Sequence, residues 1–437
     1  MKRMIALILA LAMLACVLTA CAAKEETADQ PQVSNGANAD APEKNNDASK
    51  DAEEVKTVKI ALIAAMTGTN AMIGHYQSEG AQYMVDKINE AGGIKSLGGA
   101  KLELVIGDLQ SDASLAKSVT ESVCEDPDVV AITGATSSTY VLAMLPTIEK
   151  IGIPMVTANG AGSICEQGCT YIFQTSAKAP VMSSVQVEYL KNLKNEYGYD
   201  TDKVAILYRD DDFGVSTAES TKKLVGDNGF EIVYDEAFPT TISDASSLVA
   251  NAKNSGAGVL FLTSEAESSK LIIDSMNAIN YHPVIIGSAS GFTLPTFAEE
   301  LGDYCVGMSS AAIFSYDCAN IVNNETLNGY VQEFRSKYGY YPIEGTLYEM
   351  SHILIIADAL ERCASTDRDT LRDAIAQTSL DVMNPGGTMQ FDETGASKNS
   401  TYIVYQWQKN DQGEYVQTCV YPTEYMTGEF LDQRVSD

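Results

Sequence analysis

Val129-Val-Ala-Ile-Thr133 runs straight into Gly134-Ala-Thr-Ser-Ser-Thr139. The first five residues are an apolar run that predicts a strand. The next six are small and hydroxyl-bearing, which predicts a loop that opens a helix. Upstream the same alternation appears twice. Val58, Ile60, Leu62 and Ile63 predict a strand closed by Thr67-Gly68-Thr69-Asn70, and a helix follows from about Tyr76. In that helix Ala81, Met84, Val85 and Ile88 fall at i, i+3, i+4 and i+7, one core-facing stripe, and Gly92-Gly93 ends it. Leu102 to Ile106 predicts the next strand. Asp112 caps a helix carrying Leu115, Ala116, Val119 and Val123. Ile153 to Thr157 is a fourth strand. Strands alternating with helices predict a parallel sheet covered on both faces.

Beyond residue 200 the pattern restarts. Lys203 to Tyr208 predicts a strand, residues 210–214 a loop, and 216–228 a helix. Strands follow at Phe230 to Tyr234, Val259 to Thr263 and Val284 to Gly287, with a helix at Ser246 to Lys253. The two halves answer each other. Ile60-Ala-Leu-Ile63 matches Val204-Ala-Ile-Leu207, and Val129 to Thr133 matches Val259-Leu-Phe-Leu-Thr263, with serines after both. Pro154-Met-Val-Thr157 matches Pro283-Val-Ile-Ile286. The fold class expected is α/β, with two doubly wound parallel-sheet lobes. After residue 307 the order changes. Helices are expected near Leu327 to Phe334, 347–363 and 368–378. Two late strands, Thr401 to Trp407 and Tyr415 to Val420, are joined by a turn at 409–413. The chain is therefore expected to cross between the lobes more than once.

A chain of 437 residues is long enough for two lobes. Its 45% hydrophobic and 20% charged residues are those of a folded soluble protein, and its net charge of -30 argues against nucleic acid as a partner. Lys2 and Arg3 followed by the apolar run Met4 to Val17 make a signal segment, too short for a comfortable membrane span. It ends in Leu18-Thr19-Ala20-Cys21, which resembles the lipobox of bacterial lipoproteins. That resemblance implies cleavage before Cys21 and a diacylglycerol on its thiol. Residues 22 to 56 hold no aromatic residue and are rich in Ala, Asn, Asp, Glu and Lys, the composition of a flexible tether. The protein is expected to be extracytoplasmic and lipid-anchored to the cytoplasmic membrane of a bacterium without an outer membrane.

No enzyme signature is present: no Gly-x-Ser-x-Gly, His-Glu-x-x-His, Walker loop or Gly-x-Gly-x-x-Gly. The protein is therefore expected not to be an enzyme, and a surface hydrolase is disfavoured by the presence of only three histidines, His75, His282 and His352. The cysteines follow no zinc spacing, so no metal and no cofactor are expected. Cys165 and Cys169 are candidates for a small disulfide across Glu-Gln-Gly; the remaining thiols read as buried. Asp210-Asp211-Asp212 lacks calcium-loop spacing and reads as a solvated strand end. Chemistry is expected instead in the serine-rich loops, because ligands of open α/β sheets bind at the carboxyl ends of the strands. Free backbone N–H groups and hydroxyls at Ser137, Ser138 and Thr139 suit a carboxylate, or else simply cap the helix.

A family resemblance rests on these residues taken in order. Val58-Lys-Ile-Ala-Leu with Thr67-Gly68, Gly80-Ala81 to Ile88-Asn89, Ala91-Gly92-Gly93-Ile94, Asp108-x-Gln-Ser-Asp112 and Gly134-x-x-Ser137-Ser138 resemble the branched-chain amino acid (Leu/Ile/Val) binding proteins of ABC importers, in their type I periplasmic form. Gly152-Ile-Pro154, Phe173-x-Thr175, Asp211-x-x-Gly214 and Phe391-Asp392-x-x-Gly395 extend the likeness to about residues 57–407. The resemblance implies two lobes joined by a three-crossover hinge, one from 57–178 plus 308–390 and the other from 179–307 plus 391–437. It implies a small-molecule ligand, ABC permease subunits as partners, and a membrane contact through the lipid alone. In such a site Ser138 would hold a ligand carboxylate. Asn159, Gly160, Ala161 and Ser163 follow from the next loop, and Phe213, Ser264, Glu265, Ala289 and Ser290 from the second lobe. The family's acidic residue for a ligand ammonium is missing after the Val284 strand, where this chain has Ser288-Ala289-Ser290-Gly291. Glu265 is the candidate substitute. The implied ligand is a branched-chain or related amino acid. An importer subunit for an amide or organic acid, and a sensing co-receptor of the same fold, stay open.

The anchor is directly testable. Replacing the lipobox cysteine, Cys21→Ser, should move the protein from the membrane pellet to the soluble fraction with an unchanged melting temperature. A variant that still sediments with membranes like the wild type refutes the lipid anchor.

Overall fold

The structure is a computed structural model that describes residues 57–316 and 324–432; Cys21 and the tether lie outside the described residues. The first lobe runs β1 (Thr57–Ala64), α1 (Ala71–Glu90), β2 (Lys101–Asp108), α2 (Ala116–Cys124), β3 (Val129–Gly134), α3 (Ser138–Ile151), β4 (Met155–Thr157) and β5 (Ile172–Gln174). The second runs α4 (Ala179–Tyr197), β6 (Lys203–Arg209), α5 (Asp212–Asp227), β7 (Glu231–Phe238), α6 (Ser246–Asn254), β8 (Val259–Thr263), α7 (Ala266–Ala278), β9 (Val284–Ser288) and β10 (Ser309–Ala312). Then come α8 (Glu325–Tyr338), α9 (Glu344–Cys363), α10 (Arg368–Ala376), β11 (Ile403–Lys409) and β12 (Tyr415–Tyr421).

The duplication read from the sequence is a duplication of topology. The first sheet has the order β2-β1-β3-β4-β5, and the second β12-β11-β10-β9-β8-β6-β7. Thus β2-β1-β3-β4 in one lobe answers β7-β6-β8-β9 in the other, all in parallel register. Strands β3 and β8, the matched apolar runs, are buried along their whole length, as central strands with helices on both faces must be.

Some boundaries differ from expectation. Helix α1 begins five residues earlier than Tyr76. Helix α5 starts at Asp212, because the Asp211 carboxylate accepts the Gly214 N–H at 2.8 Å and caps it. Asp112 caps a short 3-10 turn (Ala113–Leu115) that leads into α2, rather than the helix itself. Strand β5 and helix α4 were not read at all. The assignment of residues 308–316 to the first lobe is corrected: β10 pairs with the edge of β9 (Ser309 with Ile286) and with β11, satisfying both sets of ladder groups in the second sheet. Residues 391–397 are corrected the other way. Gln174 N–H donates to the Gly395 carbonyl at 2.8 Å and Ser397 N–H to the Gln174 carbonyl at 2.9 Å, so this segment extends the first sheet beyond β5. The last crossover therefore follows Ser397. β11 and β12 form the expected hairpin, antiparallel, at the edge of the otherwise parallel second sheet.

Helix α9 belongs to the first lobe, packed on α1, β3 and β4. It carries a glutamate and a histidine into the core. Glu349 has no exposed surface, and His352 is 1% exposed. The Thr133 hydroxyl donates to Glu349 Oε2 at 2.5 Å and lies 2.8 Å from His352 Nδ1. The Thr175 hydroxyl lies 2.9 Å from His352 Nε2 and donates to the Thr157 carbonyl at 3.1 Å. The network ties α9 to the ends of β3, β4 and β5.

Gly80 lets α1 approach α9. A Cβ there would sit 2.3 Å from the Thr346 carbonyl oxygen, a backbone atom that cannot turn away. Gly80→Ala should therefore destabilise the protein by about 1–3 kcal/mol. Gly226→Ala, in a helical stretch with nothing within 4 Å, should be neutral or stabilising by up to ~1 kcal/mol. Urea denaturation of the pair checks the contrast; equal effects would show that the helices do not meet at Gly80.

Candidate functional site

The carboxyl ends of both sheets face one cleft. On the first-lobe side Gly134, with φ of +112°, turns the chain out of β3. A Cβ there would lie 2.3 Å from the Ile63 carbonyl, so only glycine fits. Ser137 then caps α3, its hydroxyl accepting the Thr139 N–H at 3.3 Å. The cap role thus falls to Ser137 and leaves Ser138, the first helical residue and 2% exposed, for another task. Its hydroxyl accepts the Ala161 N–H at 3.3 Å, joining the loops after β3 and β4. Asn159 braces the same loops, donating to the Ala135 carbonyl at 2.8 Å and to Thr157 Oγ1 at 2.9 Å.

On the second-lobe side Arg209 ends β6 almost fully buried. Its Nε lies 2.8 Å from Asp211 Oδ2, its Nη1 pairs with Glu265, and its guanidinium stacks 5.3 Å from the centre of the Phe213 ring. One buried cation is therefore held by two carboxylates and an aromatic face. Ala289, after β9, has φ of +71°, a strained value for a residue with a Cβ, at the cleft wall. The lobes touch across the cleft. The Thr139 hydroxyl donates to Asp212 at 2.8 Å, and Gly160 packs on Phe213, where a Cβ would come within 2.9 Å of the ring.

Between them is a cavity of about 140 Å³. A single water needs roughly 10–15 Å³ on this measure, so the space suits a molecule of roughly ten heavy atoms. Ser137, Ser138, Asn159, Gly160, Phe213, Glu265 and Ala289 line it, which brings seven of the sequence candidates together. The others lie elsewhere. Ala161 is buried behind Ser138. Ser264 is fully buried, its hydroxyl 2.5 Å from that of Ser269. Thr139 and Ser163 line a second depression with Asp210, Asp211, Asp212, Glu166, Glu219 and Lys178. The Ser290 side chain lies outside the described residues. Glu265 is engaged by Arg209, so it is not an uncommitted carboxylate for a ligand. Cys165 and Cys169 are separate thiols, the Cys165 sulfur donating to Gln174 Oε1 at 3.4 Å. Burial pushes both thiols up to about 12, which keeps them protonated and unreactive.

Sequence reasoning missed Arg209 of the second-lobe wall and a third wall, formed by Gln77 of α1, Glu344 and Tyr348 of α9, and Tyr402 before β11. Glu344 Oε1 accepts the Ile313 N–H at 3.2 Å, and the Tyr348 hydroxyl also bonds it. Burial pushes the Glu344 carboxyl up to about 7, against these two hydrogen bonds. Burial likewise raises Tyr348 and Tyr402 beyond their ordinary range. The available signal was a glutamate opening a long apolar helix, just past Tyr341-Pro342.

The chain belongs to the periplasmic binding protein family, whose profile matches residues 57–413. The Leu/Ile/Val-binding protein homolog 7 of Brucella abortus (strain 2308) is 25% identical over 361 residues, covering 80% of this chain and 89% of its own length. A branched-chain amino acid transporter substrate binding protein from Streptococcus pneumoniae, solved with isoleucine, superposes with a TM-score of 0.71 at 21% identity, covering 84% of this chain and 100% of that one. A solute binding protein of an ABC transporter from Rhodopseudomonas palustris, solved with 3,4-dihydroxybenzoic acid, gives 0.73 at 20% identity, with 85% and 98% covered. At these identities the two structures establish the type I periplasmic binding protein fold.

Glu344 makes stability depend on pH. In the unfolded chain its carboxyl ionises near 4.5, and in the folded ligand-free protein near 7. The folded state therefore holds a proton that the unfolded state releases between these values. The Glu344 contribution to stability falls as pH rises through that window and levels off above it. Glu344→Gln, which cannot ionise, should gain on the wild type in denaturation midpoint between pH 5 and 7. A wild-type-to-variant difference that stays constant with pH rules out the raised carboxyl.

Proposed function

We propose that this protein is the extracytoplasmic solute-binding subunit of an ABC importer. It would be held at the membrane by acylated Cys21, capture a small ligand between its lobes and deliver it to a membrane permease. A branched-chain or related amino acid is the favoured ligand. The observation that carries this reading is the cavity in the cleft between two lobes, walled on one side by the Ser138 loop and the start of α3 and on the other by charged groups. A helix start with a spare hydroxyl is a seat for a carboxylate. The cavity volume fits a molecule the size of one amino acid. The Brucella relative, named for leucine, isoleucine and valine, and the isoleucine complex of the Streptococcus protein support the amino-acid reading. The dihydroxybenzoate complex of the Rhodopseudomonas protein favours the second reading, an organic acid. Both readings place a carboxylate at Ser138.

Mass spectrometry of small molecules released on denaturing the purified protein should yield one species of this size bearing a carboxylate. Ser138→Ala removes a charge-assisted hydrogen bond worth about 1.5–3 kcal/mol, so affinity for that species should fall roughly tenfold to a hundredfold. Ser137→Ala should instead lower stability by about 1 kcal/mol through loss of the cap. Calorimetric titration that finds Ser138→Ala binding like the wild type removes Ser138 from the site.

A further inference from the structure

We infer that hydrogen bonds running from Glu344 through Tyr348 and Tyr402 to the Ala177 carbonyl lock the three crossovers together, and that loss of one proton, from Glu344, unlocks them and lets the cleft open. This rests on the solute-binding reading for its purpose and on the two-lobe fold for its geometry. The crossovers are residues 175–178, the stretch that begins at Ile313, and residues 398–402. Ser400 Oγ donates to the Thr175 carbonyl at 2.5 Å, which stitches the first to the last. The Tyr402 hydroxyl donates to the Ala177 carbonyl at 3.1 Å, a second stitch between the same two. That hydroxyl also bonds the hydroxyl of Tyr348 on α9, and Tyr348 bonds Glu344 one turn earlier. Glu344 in turn accepts the Ile313 N–H at 3.2 Å, which brings in the second crossover. Glu344, Tyr348 and Tyr402 all line the cavity, beside the segments about which the lobes turn.

The number of protons makes this series a switch. Four oxygens stand in a row, on Ala177, Tyr402, Tyr348 and Glu344, with three gaps between them. Each phenol brings one proton, and burial keeps both phenols protonated. Tyr402 places its proton on the Ala177 side. An ionised Glu344 only accepts, and draws the Tyr348 proton to itself in a charge-assisted bond. No proton is then left between Tyr348 and Tyr402, and α9 is uncoupled from the crossovers. A protonated Glu344 donates to Tyr348 instead, Tyr348 donates to Tyr402, and every gap is filled. These bonds occur with Thr139 touching Asp212 and Gly160 touching Phe213, so the filled series favours the closed cleft. The titratable neighbours of Glu344 are Tyr348 on its own helix, Tyr402 in the last crossover and Tyr405 on β11, while α1 presents the uncharged Gln77. Across the cavity Arg209 is already held by Asp211 and Glu265. Burial therefore dominates and holds the carboxyl at about 7 in this closed form. In an open, wetter cleft it ionises at lower pH. Closure thus takes up a proton, and this contribution to closure is lost as pH rises through about 7.

Small-angle scattering of the solute-free protein reads the hinge without a ligand. The wild type should have its smallest radius of gyration at pH 5 and a larger one at pH 8.5, the rise levelling off above about pH 7. Glu344→Gln carries an amide N–H in place of the third proton and should keep the small radius at both pH values. Tyr402→Phe and Tyr348→Phe each take one hydroxyl out of the series and should keep the large radius at both. Both retain the ring, so the packing stays filled, and if one fails to fold the other makes the same test. Hydrogen exchange in residues 175–178 and 398–402, corrected for its intrinsic pH dependence, should be slower in Glu344→Gln than in either Phe variant. The inference is overturned by a wild-type radius that does not change with pH, by a pH response that survives in Glu344→Gln, or by Gln and Phe variants that behave alike. Each of these outcomes leaves the solute-binding reading standing, because the small molecule released on denaturation tests that reading separately.

Discussion

Glu349 is a carboxylate with no access to solvent, and the first lobe is arranged to keep it satisfied. Burying a polar group is tolerable only if hydrogen bonds replace its water. Here Thr133, His352 and the Gln77 amide do so. The cost of losing any one partner is high, because the rest would be stranded in a low dielectric. As a result the ends of β3 and β5, the face of α1 and the second turn of α9 cannot slide relative to one another. The β3 end launches the Ser138 loop, α1 carries Gln77, and α9 carries Glu344. This core network thus sets the positions of groups on two walls of the cavity.

The second lobe solves a related problem differently. Arg209 is held by Asp211, Glu265 and the Phe213 ring, and Asp211 at the same time caps α5. The same helix start places Asp212 against Thr139 and Phe213 against Gly160. Charge neutralisation, helix initiation and contact between the lobes therefore share one short stretch, Arg209 to Phe213. The family's pattern of duplicated lobes leaves room for such local changes, since the strands fix only where loops begin.

The strands were legible because apolar runs followed by small polar residues leave few alternatives. The duplication was legible because β1, β3 and β4 and their counterparts β6, β8 and β9 carry similar runs. What escaped was set by tertiary contact. β10 is Ser309-Ser-Ala-Ala312, too short and too bland to be read as a strand; it is one because β9 and β11 offer edges on both sides. Segment 391–397 joins the first sheet by a few backbone bonds that no side-chain pattern announces. In the site, the loop residues Ser138, Asn159 and Gly160 were legible from their place after strands. Gln77 and Glu344 were not, since each is a polar residue on a helix that reads as core. Glu265 was read for its charge, and its partner was invisible because Arg209 lies 56 residues earlier, on another strand.

The depression holding Thr139 and Ser163 is lined by five acidic side chains, and its one lysine, Lys178, lies 3.5 Å from Glu166. Thr139 and Asp212, which touch across the cleft, both belong to it, so it sits where the lobes part. On a chain with a net charge of -30, this makes the depression a region of negative potential. An anionic acid approaches against the field, while a zwitterion carries no net charge and is not held back. Added salt, which screens such fields over about 10 Å at 0.1 M, shortens the anion's delay and leaves the zwitterion's arrival unchanged. The acidic surface thus disfavours the approach of anions to this part of the cleft.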